Sequence, residues 1–256
     1  MRFRLMTYNI HKAIGVDRKF APERIVAVLE EHDADIVLLQ EVDRGHPRSD
    51  HLDLASYLGR ELKYHYRAVG MNVVMKTGRY GNATLSRFPI GRQRNIDLTI
   101  GGRKRRGAQH TRIHLTDAAR RHYYLDVFNV HLSLLAGLRR TQVQRLLTCP
   151  DMAALDESDA CVVAGDTNDW RGLLRRQLAP AGFSCATTRR PGSKWAIRSY
   201  PSFAPTGGLD RVFCRGPLQR LSAHAGRSRV ARVASDHLPV IVDFEIEPHR
   251  AADHDP

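Results

Sequence analysis

The chain has 256 residues, of which 42% are hydrophobic and 26% charged, a composition typical of a globular protein with a sizeable core. Its net charge of +13 favours anionic partners or substrates, because a basic surface concentrates polyanions around it. No apolar run approaches the roughly 18 residues of a membrane-spanning helix, which argues against an integral membrane protein. The opening sequence MRFRLMTYNI enters a strand-like alternation rather than a signal peptide, so we expect a cytoplasmic protein.

Cysteines and the densest basic run add little to this picture. The four cysteines are widely spaced and form no CxxC pair, so the sequence predicts neither a structural zinc site nor a disulfide framework. The run Arg103-Lys104-Arg105-Arg106 is more typical of a solvated loop than of a nucleic-acid docking site. Function therefore has to be sought in the arrangement of polar residues along the chain.

The first third of the chain alternates between strands and helices. Residues 3–10 alternate as a strand, and Pro22 fits the first position of a helix whose apolar residues then recur at helical spacing. The apolar run 36–39 is typical of a strand that is buried on both faces. A second helix is predicted over residues 52–62, where leucines align on one face.

From residue 64 onward strand patterns predominate, separated by Gly, Asn and Pro. The predicted strands are 65–75, 81–86, 94–99, 108–115, 123–132, 161–164, 209–214 and 239–246. Helices are expected over 138–147 and 173–181. This mixture favours one α/β domain over residues 1–247 with mixed or antiparallel sheets, rather than a parallel doubly wound fold. The polar segment 248–256 is expected to be a frayed tail.

Several predicted strands carry polar residues at one end. The segments are TYNIH, LLQE, FNVHLS, VVAGDTND, and LDRVF together with SDHLPV. Charged groups beside apolar runs are costly to desolvate unless they are paired or bind a metal. One such segment means little, but so many in one chain are hard to explain as scattered salt bridges. The sequence therefore predicts that these segments contribute to one site.

The order of residues around these strands constrains the sheet. Glu41 and Asp166 are expected to follow their strands, whereas Asp236 and His237 precede theirs. If all four converge, the last strand must run opposite to the other two. A convergent site therefore requires a mixed sheet, in agreement with the pattern of predicted elements.

Each residue also has an ordinary structural explanation. Glu41 could form a surface ion pair with Arg44, and Asp210 could pair with its neighbour Arg211. Asp and Asn are common in turns such as the one after residue 164. A lone histidine in an apolar strand, as at position 131, is more typical of a hydrogen-bonded core residue. The functional hypothesis rests on the joint occurrence of these residues.

With these residues in view, the sequence resembles the endonuclease/exonuclease/phosphatase superfamily, which includes deoxyribonuclease I, abasic-site nucleases, neutral sphingomyelinases and inositol polyphosphate phosphatases. The segments TYNIH, LQEVD, GNATLSRFP, NVHLS, GDTND, LDRVF and SDHLPV follow the order of that family over nearly the whole chain. The resemblance implies a four-layer α/β/β/α sandwich, in which two mixed β-sheets are flanked by helices.

The resemblance also implies a divalent-cation site. Glu41 resembles the principal metal ligand, with Asn9 beside it and Asp236 as a second carboxylate. Carboxylates, an amide and water suit Mg²⁺ or Mn²⁺ rather than zinc. Such an ion neutralises charge on phosphate oxygens and helps to activate water.

Five further positions resemble the catalytic residues of the family. Asp166 resembles the residue that orients or deprotonates the attacking water, and Asn168 the amide that holds the scissile phosphate. Asp210 and His237 resemble a pair in which the carboxylate orients the imidazole. His131 resembles a phosphate contact or an acid near the leaving group. The set contains no feature that indicates covalent catalysis.

Differences between this sequence and individual branches of the superfamily narrow the range of expected substrates. The stretch FNVHLS stands where abasic-site nucleases carry a Tyr- and Asn-rich sequence, and its histidine resembles the deoxyribonuclease I and sphingomyelinase branches. TYNIHK, YGNATLSRFPI and the YPS…LDRVF stretch are most similar to small bacterial members that are mostly uncharacterised. In that group an Arg-Gly-Ala sequence, here residues 106–108, opens a strand, so part of the basic run has a positional role.

We therefore predict a Mg²⁺-dependent phosphoesterase that hydrolyses a phosphodiester or a phosphomonoester. The alternatives are a nuclease acting on DNA or RNA, and a non-catalytic module that binds nucleic acid or membrane. The expected partner is a phosphoester substrate, with nucleic acid and phospholipid head groups as the two classes that a charge of +13 favours. The number of metal ions and the oligomeric state are not indicated.

Overall fold

A computed structural model describes residues 1–190, 193 and 195–247, so the predicted tail over 248–256 lies outside the described residues. The strands are β1 (Arg2–Asn9), β2 (Ile36–Arg44), β3 (Tyr66–Val74), β4 (Arg79–Ser86), β5 (Ile90–Asp97), β6 (Gly107–Thr116), β7 (His122–His131), β8 (Cys161–Asp166), β9 (Ser184–Cys185), β10 (Asp210–Arg215), β11 (Leu218–Ala225) and β12 (Val240–Ile246). The α-helices are α1 (Pro22–His32), α2 (Leu54–Glu61), α3 (Ala136–Leu147), α4 (Pro150–Ala153), α5 (Leu174–Leu178) and α6 (Ala231–Ala234). Within the described ranges, none of these helices has the length and apolar character needed to cross a bilayer.

The strands form two mixed sheets of six strands each. The first has the order β11-β12-β1-β2-β4-β3 and the second the order β5-β6-β7-β8-β10-β9. Each contains one parallel pair at its centre, β1 with β2 and β7 with β8, and its other neighbours are antiparallel. Helices α1, α2 and α6 pack on the outside of the first sheet, and α3 and α5 on the outside of the second. The four-layer sandwich expected from the sequence is confirmed.

Most predicted elements are present, with shifted bounds. Helix α1 begins at Pro22 as predicted, because the fixed φ of proline suits the first helical position. Strand β2 continues to Arg44, well past the apolar run 36–39, because its pairing with β4 resumes at Val42. Strand β11 was not predicted. Its side chains alternate only between partly buried and exposed, which leaves a weak apolar pattern.

The central strands have no polar face. Along β10, Val212 belongs to the core between the sheets, whereas its neighbour Phe213 belongs to the core under the outer helices. Val162 and Val163 divide in the same way along β8. Successive side chains of a strand point to opposite faces, so a strand covered on both faces needs a continuous apolar run. This packing gives the strand ends a rigid support.

One buried amide connects the two sheets. Asn129 of β7 donates through Nδ2 to the carbonyl oxygens of Leu39 and Ala83 in the first sheet, at 3.1 and 3.0 Å. Its Oδ1 accepts a hydrogen bond from Gln40 Nε2 at 2.8 Å. These bonds lie next to Glu41 in sequence and fix β2 against β7. Because these groups are buried, each bond contributes to stability, since a buried polar group without a partner raises the free energy of the folded state.

We expect Asn129→Leu to lower the free energy of unfolding by about 2 kcal/mol or more, because two carbonyl oxygens and the Gln40 amide lose a buried partner. Urea denaturation measures the change. The matched control is Thr111→Val on the neighbouring strand, where the Thr111 hydroxyl is buried and has no hydrogen-bond partner within the described part of the chain. That variant should be neutral or more stable, and an equal loss in both variants would contradict the role given to Asn129.

Candidate active site

The polar residues at strand ends meet at one edge of the sandwich. Asn9, His131 and Asp166 are the last residues of β1, β7 and β8. Asp210 is the first residue of β10, which is antiparallel to β8, and His237 lies shortly before β12, which is antiparallel to β1. Strand β12 therefore also runs opposite to β2, which is parallel to β1. The direction expected for the last strand relative to the strand that carries Glu41 is confirmed.

The sequence predicted that Glu41 follows its strand. This prediction was wrong, because Glu41 lies inside β2. The pairing of β2 with β4 shifts register between Leu39 and Val42. Glu41 occupies this irregularity with φ 58°, a left-handed conformation that is unfavourable for a residue with a side chain. A bulge redirects side chains without ending the strand. The apolar run predicted the buried strand, but the bulge depends on pairing with β4.

The Glu41 carboxylate is largely buried and forms an ion pair with Lys12, whose ammonium donates to Oε2. Burial by itself raises the pKa of Glu41, but Lys12, His131 and a hydrogen bond from Tyr80 together outweigh this effect, and the net pKa is lowered. The phenol of Tyr80 lies beside the same carboxylate, and burial together with Glu41 raises the pKa of Tyr80. Sequence reasoning did not select Lys12, although it is the sixth residue of the TYNIHK motif.

Asp166 is the residue on which the other candidate groups converge. Its Oδ2 accepts a hydrogen bond from Asn9 Nδ2 at 3.1 Å, and its Oδ1 accepts one from the backbone N–H of Asn168 at 3.0 Å. The Nε2 atoms of His131 and His237 lie 3.5 and 3.9 Å from Oδ2. Burial raises the pKa of Asp166, and the two histidines oppose the shift. Both of its oxygens are therefore held in fixed directions.

The turn after β8 requires the residue types found there. Gly165 has φ 143°, and a Cβ at this position would lie 1.9 Å from the carbonyl oxygen of Val130. Asn168 adopts φ 51°, a conformation that Asn tolerates better than most residues. Its Nδ2 donates to the Leu132 carbonyl at 3.0 Å, which leaves a second amide hydrogen for a ligand. The Gly-Asp-Thr-Asn sequence thus holds Asp166 and Asn168 close together.

Asp210 and His237 form a buried pair. Nδ1 of His237 lies 2.8 Å from Asp210 Oδ2, and Ser199 Oγ donates to the same oxygen at 2.5 Å. Burial by itself lowers the pKa of His237, but Asp210 and then Asp166 raise it to about 10. The ring is therefore an imidazolium at neutral pH. Ser199 was missed by the sequence analysis, although it directly precedes the YPS motif.

His131 has the opposite charge state. Its burial lowers the pKa to about 4, although Asp166 acts in the other direction. The nearby positive charge of Arg106 lowers the pKa of His131 further. Arg106 is buried, whereas Arg103 and Arg105 of the same run are exposed. The expectation that part of the basic run has a positional role is supported by this difference.

Asp236 lies at the margin of the site. It is half-buried, and its Oδ1 is 3.4 Å from Ser235 Oγ. That hydroxyl donates to the Asn9 carbonyl at 2.7 Å, which connects the segment before β12 to the end of β1. The negative charge of Asp236 is one of the groups that raise the pKa of His237. The eight residues predicted from the sequence therefore lie at this edge.

Two aromatic residues extend the site on the His237 side. The Tyr200 and His237 rings have centroids 4.9 Å apart, and Trp170 packs edge-on against Tyr200 at 5.7 Å. Tyr200 belongs to the YPS motif, but Trp170 carried no signal beyond its position after GDTND.

The donor set fits a divalent cation. One potential ligand atom from each of Asp166, Asp210 and His237 lies within 4.8 Å of the others, but a protonated His237 ring has no lone pair for a metal, so the carboxylates are the donors of this group. Asp210 Oδ1 is buried and has no hydrogen-bond partner among the described residues. The ion pair of Glu41 with an ammonium group marks a second position where positive charge is stabilised. Oxygen-rich donors of this kind suit Mg²⁺ or Mn²⁺.

This fold is that of a known family whose members hydrolyse phosphoesters. The chain belongs to the Endonuclease/Exonuclease/phosphatase family, whose sequence profile matches residues 6–237. It is 31% identical over 262 aligned positions to the uncharacterized protein YbhP of Escherichia coli K12, with coverage of 95% of this chain and 96% of YbhP.

Solved structures show the same fold. A family member from Bacteroides vulgatus has a TM-score of 0.75 at 18% identity, with coverage of 96% of this chain and all of that one. Another, from Beutenbergia cavernae, has a TM-score of 0.74 at 23% identity, with coverage of 96% and 72%. At these identities the similarity establishes the architecture rather than the substrate.

Histidine NMR at pH 7 should show a charged His237 and a neutral His131. Asp210→Asn should lower the pKa of His237 by at least about one unit, because it removes the largest stabilising charge. Asp236→Asn, the control, should have a smaller effect. The pKa of His237 is about 10 in the folded protein and about 6.5 in the unfolded chain, so the charged ring stabilises the fold fully below pH 6.5. This contribution to the free energy of unfolding is lost as the pH rises toward about 10. A neutral His237 at pH 7 would contradict the assignment.

Proposed function

We propose that this protein is a divalent-metal-dependent phosphoesterase that hydrolyses a phosphodiester or phosphomonoester by attack of an activated water. The observation that carries the proposal is the convergence on Asp166 of two histidines with opposite charge states, one of them paired with Asp210. A buried carboxylate between a neutral and a charged imidazole provides separate groups for accepting a proton and for stabilising negative charge.

In the proposed reaction Asp166 orients the water and accepts its proton. Burial raises the pKa of this carboxylate, which makes it a better base near neutral pH than an exposed aspartate. The hydrogen bonds from Asn9 and Asn168 restrict its orientation. The water oxygen forms a bond to phosphorus, the ester P–O bond breaks, and the departing oxygen leaves with the electron pair.

The remaining groups bind the phosphoryl oxygens. The His237 imidazolium, oriented by Asp210, can donate through Nε2 to an oxygen that gains negative charge. The free amide hydrogen of Asn168 can hold another oxygen of the phosphate. Neutral His131 contacts the phosphate or assists near the leaving group. Each preorganised donor of this type is typically worth about 3–4 kcal/mol in the transition state.

Glu41 and Asn9 would hold a divalent cation, with Asp236 as an additional carboxylate. When bound, the ion neutralises phosphate charge and lowers the pKa of water. Lys12 already compensates the Glu41 charge without the ion, which keeps the buried carboxylate in its ionised form.

A nuclease acting on DNA or RNA is the second candidate. It is favoured by the net charge of +13 and by the position of Arg106 and Lys104, whose charges act on His131. A steep loss of substrate affinity with added salt would support it, because each neutralised phosphate releases counterions.

Asp166→Asn should reduce kcat on bis-p-nitrophenyl phosphate by about 10²–10⁴-fold, because the base is lost. The fold should survive, since the buried site already disfavours the charged carboxylate. Asp243→Asn is the matched control, as its carboxylate pairs with Arg4 away from the site. If Asp166→Asn and His237→Ala both retain full activity on a panel of diesters and monoesters, the proposed active site is wrong.

EDTA should abolish hydrolysis, and Mg²⁺ or Mn²⁺ should restore it. Glu41→Gln should weaken binding of these ions at least about tenfold in calorimetric titrations, which report binding independently of activity. Glu245→Gln, whose carboxylate pairs with Arg2, should bind the ions like the unaltered protein. Equal ion affinity in both variants would exclude Glu41 as a ligand.

A further inference from the structure

A cavity of about 510 Å³ lies on the outer side of the second sheet, next to the candidate active site. The chain has two tryptophans, Trp170 and Trp195, and both line this cavity. Its lining also includes five arginines, namely Arg171, Arg175, Arg176, Arg198 and Arg211. We call it the Arg–Trp pocket. Its volume is in the usual range for small-molecule sites, about 300–1,000 Å³.

The segments that line the Arg–Trp pocket also support the Asp210–His237 pair. Arg198 precedes Ser199, which donates to Asp210. Arg211 directly follows Asp210 on β10, and its side chain points to the opposite face of the sheet. The lining of the pocket is therefore directly connected along the chain to Ser199 and Asp210.

Trp170 is held in place by its surroundings. A Cβ on Gly207 would come within 2.8 Å of Trp170 Cζ3, so the ring packs directly against that glycine. The preceding residue, Asp169, is fully buried and accepts hydrogen bonds from the backbone N–H groups of Leu173 and Leu174 at 3.0 and 2.9 Å. Trp170 is nevertheless 53% exposed. A fixed and exposed aromatic ring is a surface on which a planar group can stack.

The arginines give the pocket a positive charge with little internal compensation. Arg211 is buried and donates to the Asp169 carbonyl at 3.0 Å, and its Nε has no hydrogen-bond partner among the residues that the structure describes. The Nε of Arg211 lies 4.0 Å from Oδ2 of Asp169. The other four arginines are exposed, and none forms an ion pair with a carboxylate in the described part of the chain. A guanidinium group that is not paired with a carboxylate can bind phosphate through two parallel hydrogen bonds.

Phosphate-binding arginines and stacking tryptophans together select a ligand that contains both a phosphate and a flat aromatic group. A nucleotide has both, whereas a phospholipid head group has no aromatic ring to stack. The base must also be unpaired, because a duplex buries the faces of its bases. We propose that the Arg–Trp pocket binds an unpaired nucleotide of a single-stranded nucleic acid whose scissile phosphate lies at Asp166. This inference rests on the proposed function and specifies its substrate.

The distance to the site is compatible with one strand occupying both. The Trp170 and Tyr200 rings are 5.7 Å apart, and the Tyr200 and His237 rings 4.9 Å apart. Trp170 is thus no further from His237 than these two distances combined. Successive nucleotides in a stacked strand rise by about 3.4 Å and are further apart when unstacked, so a few nucleotides cover the span.

Intrinsic fluorescence tests the proposal directly, because both tryptophans of the chain line the pocket. A short single-stranded oligonucleotide, titrated in EDTA to prevent hydrolysis, should quench the emission. A duplex of the same sequence and a strand with abasic sites should bind at least about fivefold more weakly, because stacking is lost. Equal affinity for the abasic strand, or oligonucleotide binding without a change in emission, would overturn the proposal.

Charge reversal locates the binding. Arg175→Glu with Arg176→Glu should weaken oligonucleotide binding at least about tenfold and reduce the salt dependence of log K by about 0.7 for each phosphate that the variant no longer neutralises. The matched control is Arg60→Glu with Arg67→Glu, two exposed positions on the other sheet and its helix layer with the same net charge change. An equal reduction in affinity in both double variants would mean that only the overall charge matters, and would overturn the assignment to this pocket.

A membrane ligand is the competing result. If phosphatidylglycerol vesicles shift the tryptophan emission and the oligonucleotide does not, the pocket binds lipid and the nucleotide proposal fails. Failure of the proposed function would be seen separately, as absence of hydrolysis of every phosphoester in the presence of Mg²⁺ or Mn²⁺, because the binding measurements require no turnover.

Discussion

Burial of the Asp166 carboxylate is the constraint on which the site depends. Removing this group from water raises its pKa, and the surrounding donors compensate only in part. Asn9 and the Asn168 backbone hold its two oxygens, while His131 and His237 lie beside it. Because each contact comes from a different strand end or turn, the carboxylate can be held this way only where β1, β7, β8 and the segment before β12 meet.

The sandwich provides that meeting point through its parallel central pairs. Strands β1 and β2 in one sheet and β7 and β8 in the other end on the same edge, and the antiparallel strands β10 and β12 begin there. Asn129 connects the sheets close to this edge and fixes the strand that carries Glu41. Rigid support of this kind matters because catalytic geometry must be held to within about 0.5 Å.

Positive charge surrounds the site on both sides. Lys12 pairs with Glu41, the charge of Arg106 acts on His131, and the Arg–Trp pocket adjoins the Asp210–His237 pair. An anionic chain that crosses the edge from one side to the other would meet basic residues on both sides of the carboxylates. The excess of +13 is therefore arranged in part around the candidate site, where it favours the encounter with a polyanion.

The pattern of residues by itself determined a mixed α/β domain and the eight candidate residues, because continuous apolar runs and polar strand ends are local patterns. The resemblance to the family supplied the four-layer sandwich and the expected roles of these residues. Lys12 on Glu41, the bulge within β2 and Ser199 on Asp210 were decided only by the tertiary structure. The same holds for the Arg–Trp pocket, whose segments are separated in sequence. The physical reason is that burial, ion pairing and pKa depend on distances between side chains, and those distances exist only once the two sheets have packed together.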